Sequence, residues 1–490
     1  MPHFSLISVL LFLPLLGAVF LLFVRGDDRI TAMNSRHVAL LISGCTFVLA
    51  LTAWAAGTYS EGRVNFRSRY EGFPTLGISW HVGIDALSLI FVLLISFLTL
   101  LCVYTSRKRI LTMVREFMIV TLVMESFLLT AVCARDFLQM FLFAEGAAVP
   151  LFLLIAVWGI EKRAFSSFRF GLYSVFGSSL LFLALLYLYA QTGSADAESL
   201  KDVRLPLEVQ HALLALFAAA FAFRAPLFPF HAWFTDALTE APVPVAAVLS
   251  GAFTKMAFYI FLRTAVPVLP DALPLWSPWL AGWAVFSAVY GALITIGITD
   301  IRKTAGYVHI AQTGIMALGL FCLMPEALKG TLFLCFAQGL SLIFFLLTGG
   351  ALLERMQNRE ARTYSGLIAD MPFLGTFFLL SCLAASAFPA TPSFLGNFLI
   401  WGSAYGESRL LALGAAVSGV FLYAAFFPMF SRLMLGEKEA KDAPPPPDLT
   451  WREKTAFSVL GAVLLYLALL PETVMKLVSG AVHPFFTAGL

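Results

Sequence analysis

Long, uninterrupted apolar runs constrain this chain more than any other feature. The stretch "ALSLIFVLLISFLTLLCVYT" (86–105) carries no charge, and runs of similar length recur throughout the sequence. A helix needs roughly 20 mainly apolar residues to cross the hydrocarbon core, and only helices or closed barrels satisfy every backbone group in lipid. The runs are continuous rather than alternating, which selects helices over barrel strands. Composition agrees: 60% of residues are hydrophobic and 12% charged, against about 25% charged in a soluble domain. The fold class is an all-α integral membrane protein.

Charged or Pro/Gly-rich breaks divide the chain into about fourteen segments: 4–24, 36–57, 82–104, 115–133, 136–158, 166–190, 207–227, 243–263, 275–298, 303–324, 328–350, 371–388, 409–433 and 453–474. Residues 230–241 form the second half of a broken seventh helix, and 394–404 that of a broken twelfth. The first run lacks a preceding Lys or Arg and is long enough to span, so a retained helix is expected rather than a cleaved leader. Odd-numbered connections hold twenty Lys and Arg residues and the even-numbered ones, with the C-terminal tail, ten. By the positive-inside rule the odd connections are cytoplasmic and both termini periplasmic. The stretch "KDAPPPPDLT" (441–450) is then a stiff cytoplasmic linker.

Several functional classes find no support. The six cysteines, Cys45, Cys102, Cys133, Cys322, Cys335 and Cys382, lie in apolar runs without a CxxC pair, which disfavours iron–sulfur, zinc and disulfide roles. The formal charge of +3 and the lack of a basic cluster give no sign of nucleic-acid binding. No GxxxxGK[ST], no GxGxxG between strand and helix and no HExxH occurs.

Two segments share a layout. Asp136 precedes Glu145 by nine residues in the fifth, and Asp300 precedes His309 by nine in the tenth, placing each ionisable group about 13 Å deeper along its helix. The seventh segment breaks at "APLFPFH" and the twelfth at "FPATPSFLGNF", each with two prolines. Breaks at matched positions of inverted halves point to a transport site, because freed backbone is tolerated only where it lines a cavity.

Glu125, Glu145, Arg224, Lys255 and His309 fall within expected spans. An ionised group there costs at least about 2.5–3.5 kcal/mol, so such residues face an interior or water and mark ion paths. Glu145 and Arg224 carry opposite charges and are suited to pair. Lys255 is a proton carrier because burial lowers the affinity of an amine for its proton, and His309 titrates near neutral pH. Helix capping or a cavity mouth accounts for His231, Asp236 and Glu240 as well as proton transfer does. Arg135 and Asp136 are expected to form an interfacial pair and a cap.

The motifs "VGIDALSLIFVLLISF", "FLFAEGAAVPLFLLIAVWG", "PLFPFHAWFTDALTEAPVPVAAVLSGAFTKM" and "GNFLIW" resemble the antiporter-like subunits of respiratory complex I, most of all the chain M group of bacterial proton-pumping NADH:quinone oxidoreductase. The resemblance implies fourteen transmembrane helices with two inverted five-helix repeats, each with a Pro-broken helix. The implied parts are helices 1–3 (1–110), a first repeat (111–264), a second repeat (265–435), and the Pro-rich linker with helix 14 (436–490). It implies a proton route through Glu145, Lys255, His309 and Glu125. Three positions depart from the family pattern: Arg224 stands where it has lysine, Asn397 where it has glutamate and Gln338 where it has histidine. Arginine stays protonated, while Asn and Gln have no titratable proton. Glu407, about 15 Å along the helix from Asn397, is a substitute acid.

The implied function is a proton-translocating subunit with no cofactor of its own, with NADH, FMN, iron–sulfur clusters and quinone handled by partner subunits. The expected partners are other membrane subunits, chains L and N on either side, and the lipid bilayer of a bacterial inner membrane. The alternatives are chain N, a paralogue with an attenuated or closed proton path serving assembly, and a subunit of a cation/proton antiporter or membrane-bound hydrogenase complex.

Overall fold

Hydrophobic burial in lipid leaves the backbone one economical solution, and the chain adopts it along most of its length. The computed structural model describes residues 5–59, 62–73, 78–356, 365–436 and 447–487. A helix forms at each expected segment. Among the described residues, ten helices are long and apolar enough to cross a membrane, or eleven if Trp451–Leu469 and Glu472–Phe486 make one bent span. The helices Leu6–Leu22 and Pro372–Ala385 are apolar but shorter. The expected linker falls partly at 437–446, outside the described residues.

The chain forms two compact units. Unit 1 comprises Met1–Ala225, Glu240–Trp276 and Lys476–Leu490, and unit 2 comprises Pro226–Thr239 and Ser277–Met475. In unit 1 the helix Val243–Val268 is buried along its whole apolar window, whereas Asp28–Ala56 and Arg163–Thr192 are 28% buried and turn apolar side chains outward. In unit 2 the helix Pro325–Met356 is the buried centre, at 94%. It packs closely on Pro392–Glu407, because glycines meet there: a Cβ on Gly330 would lie 2.8 Å from the Gly396 carbonyl oxygen.

Both proline breaks form. The helix Leu207–Arg224 stops before Pro226 and resumes as Ala232–Glu240. Pro372–Ala385 stops before Pro389 and resumes as Pro392–Glu407, several residues longer than the expected 394–404. The second break holds Ala387 and Ala390 at φ +56° and +71°, a conformation alanine rarely takes. The Tyr423 hydroxyl donates to the Ala387 carbonyl across 2.9 Å and helps hold it.

Two elements correct the sequence reading. Residues Asn65–Phe73 and Ile78–Ile84 form antiparallel strands, β1 and β2, so the third helix starts at Ala86 rather than at 82. Its end is set by Asp85, which accepts from the Ser88 N–H at 2.9 Å. The second correction is Glu472–Thr487, expected as a tail but helical. It buries Val474, Leu477, Val478, Ala481 and Val482, the spacing of a one-sided helix, which a search for all-round apolar segments passes over.

In unit 1 the even-numbered connections converge. Strand β2 pairs at Val82 with Ala134, and Asp136 pairs with Asp196. Asp85 takes Arg263 at 2.5 Å and Arg135 at 3.0 Å. Asp136 caps the helix Phe137–Gly146 by accepting from Gln139 N–H at 2.8 Å. Arg135 therefore pairs with Asp85, not with Asp136 as expected, because the cap occupies the nearer carboxylate. At this end the His81 ring holds Asp196 below the usual carboxylate range.

Candidate proton-transfer site

Glu145 sits where its helix is interrupted. Phe137–Gly146 ends one residue after it, and Ala148–Trp158 follows. Pro150 lacks the N–H that the Gly146 carbonyl would otherwise receive, which weakens the helix at this point. The Glu145 carboxylate accepts from Arg224 Nη2 at 2.6 Å through one oxygen and from the Ser178 hydroxyl through the other. The expected pairing is thus formed, with side-chain exposures of 10% for Arg224 and 21% for Glu145. Ser178 went unnoticed in the sequence, because one serine in an apolar run signals little.

Arg224 is the last residue of its half-helix, so the broken backbone delivers the guanidinium into the unit. Its Cζ lies 5.2 Å over the Phe253 ring. Phe253 ends a π-helical turn, Leu249–Phe253, and a second turn covers Phe261–Ala265. Between them stands Lys255, fully buried. The wide turn is seen in the bond from Thr254 N–H to the Leu249 carbonyl, 3.2 Å across five residues. Such turns recur at functional positions, where they displace a side chain from ordinary helical register. Glu125 is also fully buried, and neither carboxylate oxygen has a hydrogen-bond partner among the described residues.

Unit 2 repeats the layout with different chemistry. Asp300 caps Ile301–Phe321, accepting from Arg302 and Lys303 N–H groups at 2.8 and 3.2 Å. His309, buried, stacks on Phe234 with ring centroids 4.3 Å apart, and its Nδ1 lies 3.5 Å from Gln338 Nε2. Asn397 is buried with its Oδ1 unpartnered among the described residues. Leaving such an atom unpaired costs about 1–3 kcal/mol.

The remaining candidates divide. His231 is buried among Phe228, Tyr290 and Tyr307, with centroids 5.8, 5.1 and 6.0 Å away. Glu240 accepts from Lys162 N–H at 2.8 Å and its carbonyl from Ile160 N–H at 2.9 Å, tying down the connection before Arg163–Thr192. Asp236 is half-buried on Ala232–Glu240. Glu407 is exposed at the end of its helix, with Ser277 Oγ 3.5 Å away. The structure therefore brings together Glu145 and Arg224 in unit 1, and His309 and Gln338 in unit 2.

Residues 134–422 match the family described as NADH:quinone oxidoreductase/Mrp antiporter, TM. The chain belongs to this family. Within the family it is 31% identical to the NADH-quinone oxidoreductase subunit M of Rickettsia typhi, over 97% of both chains. It is likewise 31% identical to the NADH-ubiquinone oxidoreductase chain 4 of Marchantia polymorpha, over 97% of this chain and 96% of that one. A chain in the structure of respiratory complex I from Thermus thermophilus with bound NADH superposes with a TM-score of 0.89 at 27% identity, covering 99% of this chain and 100% of that one.

Proposed function

We propose that this chain is the proton-translocating membrane subunit of an NADH:quinone oxidoreductase of the complex I type. The observation that carries the reading is the pair Glu145–Arg224 at 2.6 Å, set between two helix interruptions and beside the turn that presents buried Lys255. Family membership and the full-length likeness to subunit M relatives support it. Glu145 is the gate, Arg224 its permanent counter-ion, and Lys255, with His309 and Glu125, the relay. Because Arg224 keeps its proton, it biases Glu145 through the ion pair without exchanging protons. The chain itself is non-redox: NADH, FMN, iron–sulfur and quinone chemistry belongs to partner subunits, among them chains L and N on either side. Fourteen spans in two inverted repeats, 111–264 and 265–435, place both termini on the periplasmic side of a bacterial inner membrane.

Protons pumped per NADH, measured in vesicles carrying the intact complex, test this function. Glu145→Gln and Lys255→Ala are expected to lower the ratio in complexes that assemble. Normal pumping by both would overturn the proposal. A second reading, a paralogue with an attenuated path, draws on the neutral residues at 338 and 397. A higher ratio in Arg224→Lys/Asn397→Glu than in the parent would favour it.

A further inference from the structure

The even-numbered connections carry half as many Lys and Arg residues as the odd ones, yet three of their arginines meet at one cavity of unit 1. Arg135, Arg204 and Arg263 line a space of about 260 Å³ together with Asp85 and Glu198. Arg135 follows the helix Val114–Cys133, Arg204 precedes Leu207–Arg224, and Arg263 lies near the end of Val243–Val268.

The acids present answer only part of this charge. Asp85 takes Arg263 Nη2 at 2.5 Å and Arg135 Nη1 at 3.0 Å, so one carboxylate serves two guanidiniums. Glu198 is paired at 3.5 Å with Arg67, which is not among the lining residues. Arg204 is exposed and makes no ion pair or hydrogen bond among the described residues. The lining therefore keeps an excess of positive charge.

The rest of the lining is largely apolar. Leu262, Val266 and Pro267 come from the end of Val243–Val268, and Ala481, Pro484 and Phe485 from the helix Glu472–Thr487. Glycines seat that second helix. A Cβ on Gly480 would lie 2.1 Å from the Tyr59 carbonyl oxygen, and one on Gly62, at φ +72°, 2.8 Å from Pro484 Cγ. Close backbone packing thus fixes the cavity wall.

A guanidinium presents a planar fork of donors that matches phosphate oxygens two at a time. Arg204 has its whole fork to offer, and Arg135 and Arg263 add attraction for an anion. The 26 residues of Val243–Val268 make a helix about 39 Å long, which exceeds the roughly 30 Å hydrocarbon core and brings its ends to headgroup level. Phosphate is the commonest anion at that level, and the apolar walls suit the glycerol and first methylenes attached to it.

We propose that Arg204, with Arg135 and Arg263, forms a binding site for a phosphate group, carried by a phospholipid headgroup or supplied as the free anion. Occupancy ties the connection at Arg204 to the helix Glu472–Thr487 across the cavity. No proton transfer is involved, so the site stands apart from the translocating function proposed above.

Amide exchange in the intact complex, stripped of lipid in detergent, tests the site, with residues 472–487 as the reporter. The added ligands are dihexanoyl phosphatidylglycerol, sodium phosphate, and dihexanoylglycerol as the control without phosphate. Slower exchange with the phospholipid, at concentrations where sodium phosphate does nothing, identifies a headgroup site; slower exchange with sodium phosphate identifies the free anion. Either supports the site. Arg204→Ala changes an exposed side chain and is expected to raise the concentration for half-protection about tenfold. Arg204→Lys is expected to recover part of that loss, since it keeps the charge but not the fork. No protection of the parent by either phosphate ligand, equal protection by dihexanoylglycerol, or unchanged protection in Arg204→Ala would overturn the proposal.

Discussion

Unit 1 holds paired charges in its interior: Glu145 with Arg224 at 2.6 Å, and Asp85 with Arg263 and Arg135 at 2.5 and 3.0 Å. Unit 2, at the level of His309, buries amides and hydroxyls and leaves several of their oxygens unpartnered among the described residues. The two halves share the capping aspartate, the ionisable group nine residues on and a proline-broken helix. They differ in what stands opposite that group. A fixed guanidinium holds a carboxylate in one place with one charge, whereas a neutral amide beside an imidazole holds neither. The likeness of backbone therefore does not imply a likeness of proton chemistry, and substitutions in the two units should respond differently.

The widest contrast is functional. Lys255→Ala removes a fully buried amine, and pumping through this subunit is expected to fall by roughly 100-fold, the lower range for a positioned proton carrier. Gln338→His, which adds a titratable group beside His309, is expected to leave pumping intact or raise it. Proton uptake by vesicles measures both, and a Lys255→Ala complex that pumps normally would break the comparison.

The next contrast concerns stability. Arg224→Leu leaves Glu145 without its counter-ion, a loss of about 3–5 kcal/mol for a buried pair broken on one side. Asn397→Leu deletes an Oδ1 that has no hydrogen-bond partner among the described residues, so its cost is expected near zero or negative. Thermal unfolding of the two purified complexes would separate them, and equal destabilisation would show that burial, not charge, sets the difference.

Packing gives a smaller effect. Gly330→Ala puts a methyl 2.8 Å from the Gly396 carbonyl oxygen, whereas Gly402→Ala, on the same packed pair of helices, meets nothing within 4 Å. Overpacking costs about 1–3 kcal/mol, so a lower melting temperature is expected for the first variant and none for the second.

The smallest effect lies in the connections of unit 1. Asp196 is held below the usual carboxylate range first by the His81 ring, so its folded form binds a proton less readily than the unfolded chain. That stabilisation is present above the ordinary carboxylate range and is lost as pH falls through the lowered value. Amide exchange in β1 and β2 is expected to quicken in acid, and Asp196→Asn to flatten the dependence.

Much of this was legible from residues alone. Apolar runs located the helices, paired prolines located both breaks, and opposite charges anticipated Glu145–Arg224, because lipid penalises unpaired charge and unpaired backbone alike. The strands and the helix Glu472–Thr487 escaped notice because they lie outside long apolar runs, and only their packing shows which face is buried. Ser178 escaped because a lone hydroxyl in an apolar helix has no meaning until its neighbours are known.

By itself the sequence determined the fold class and the places where helices break, both properties of one segment at a time. Only the tertiary structure decided which groups meet. Arg135 goes to Asp85 rather than Asp136, Arg224 reaches Glu145 through a broken helix, and Gln338 stands beside His309. Pairing depends on distances between segments far apart in the chain, and those are set by how the helices pack.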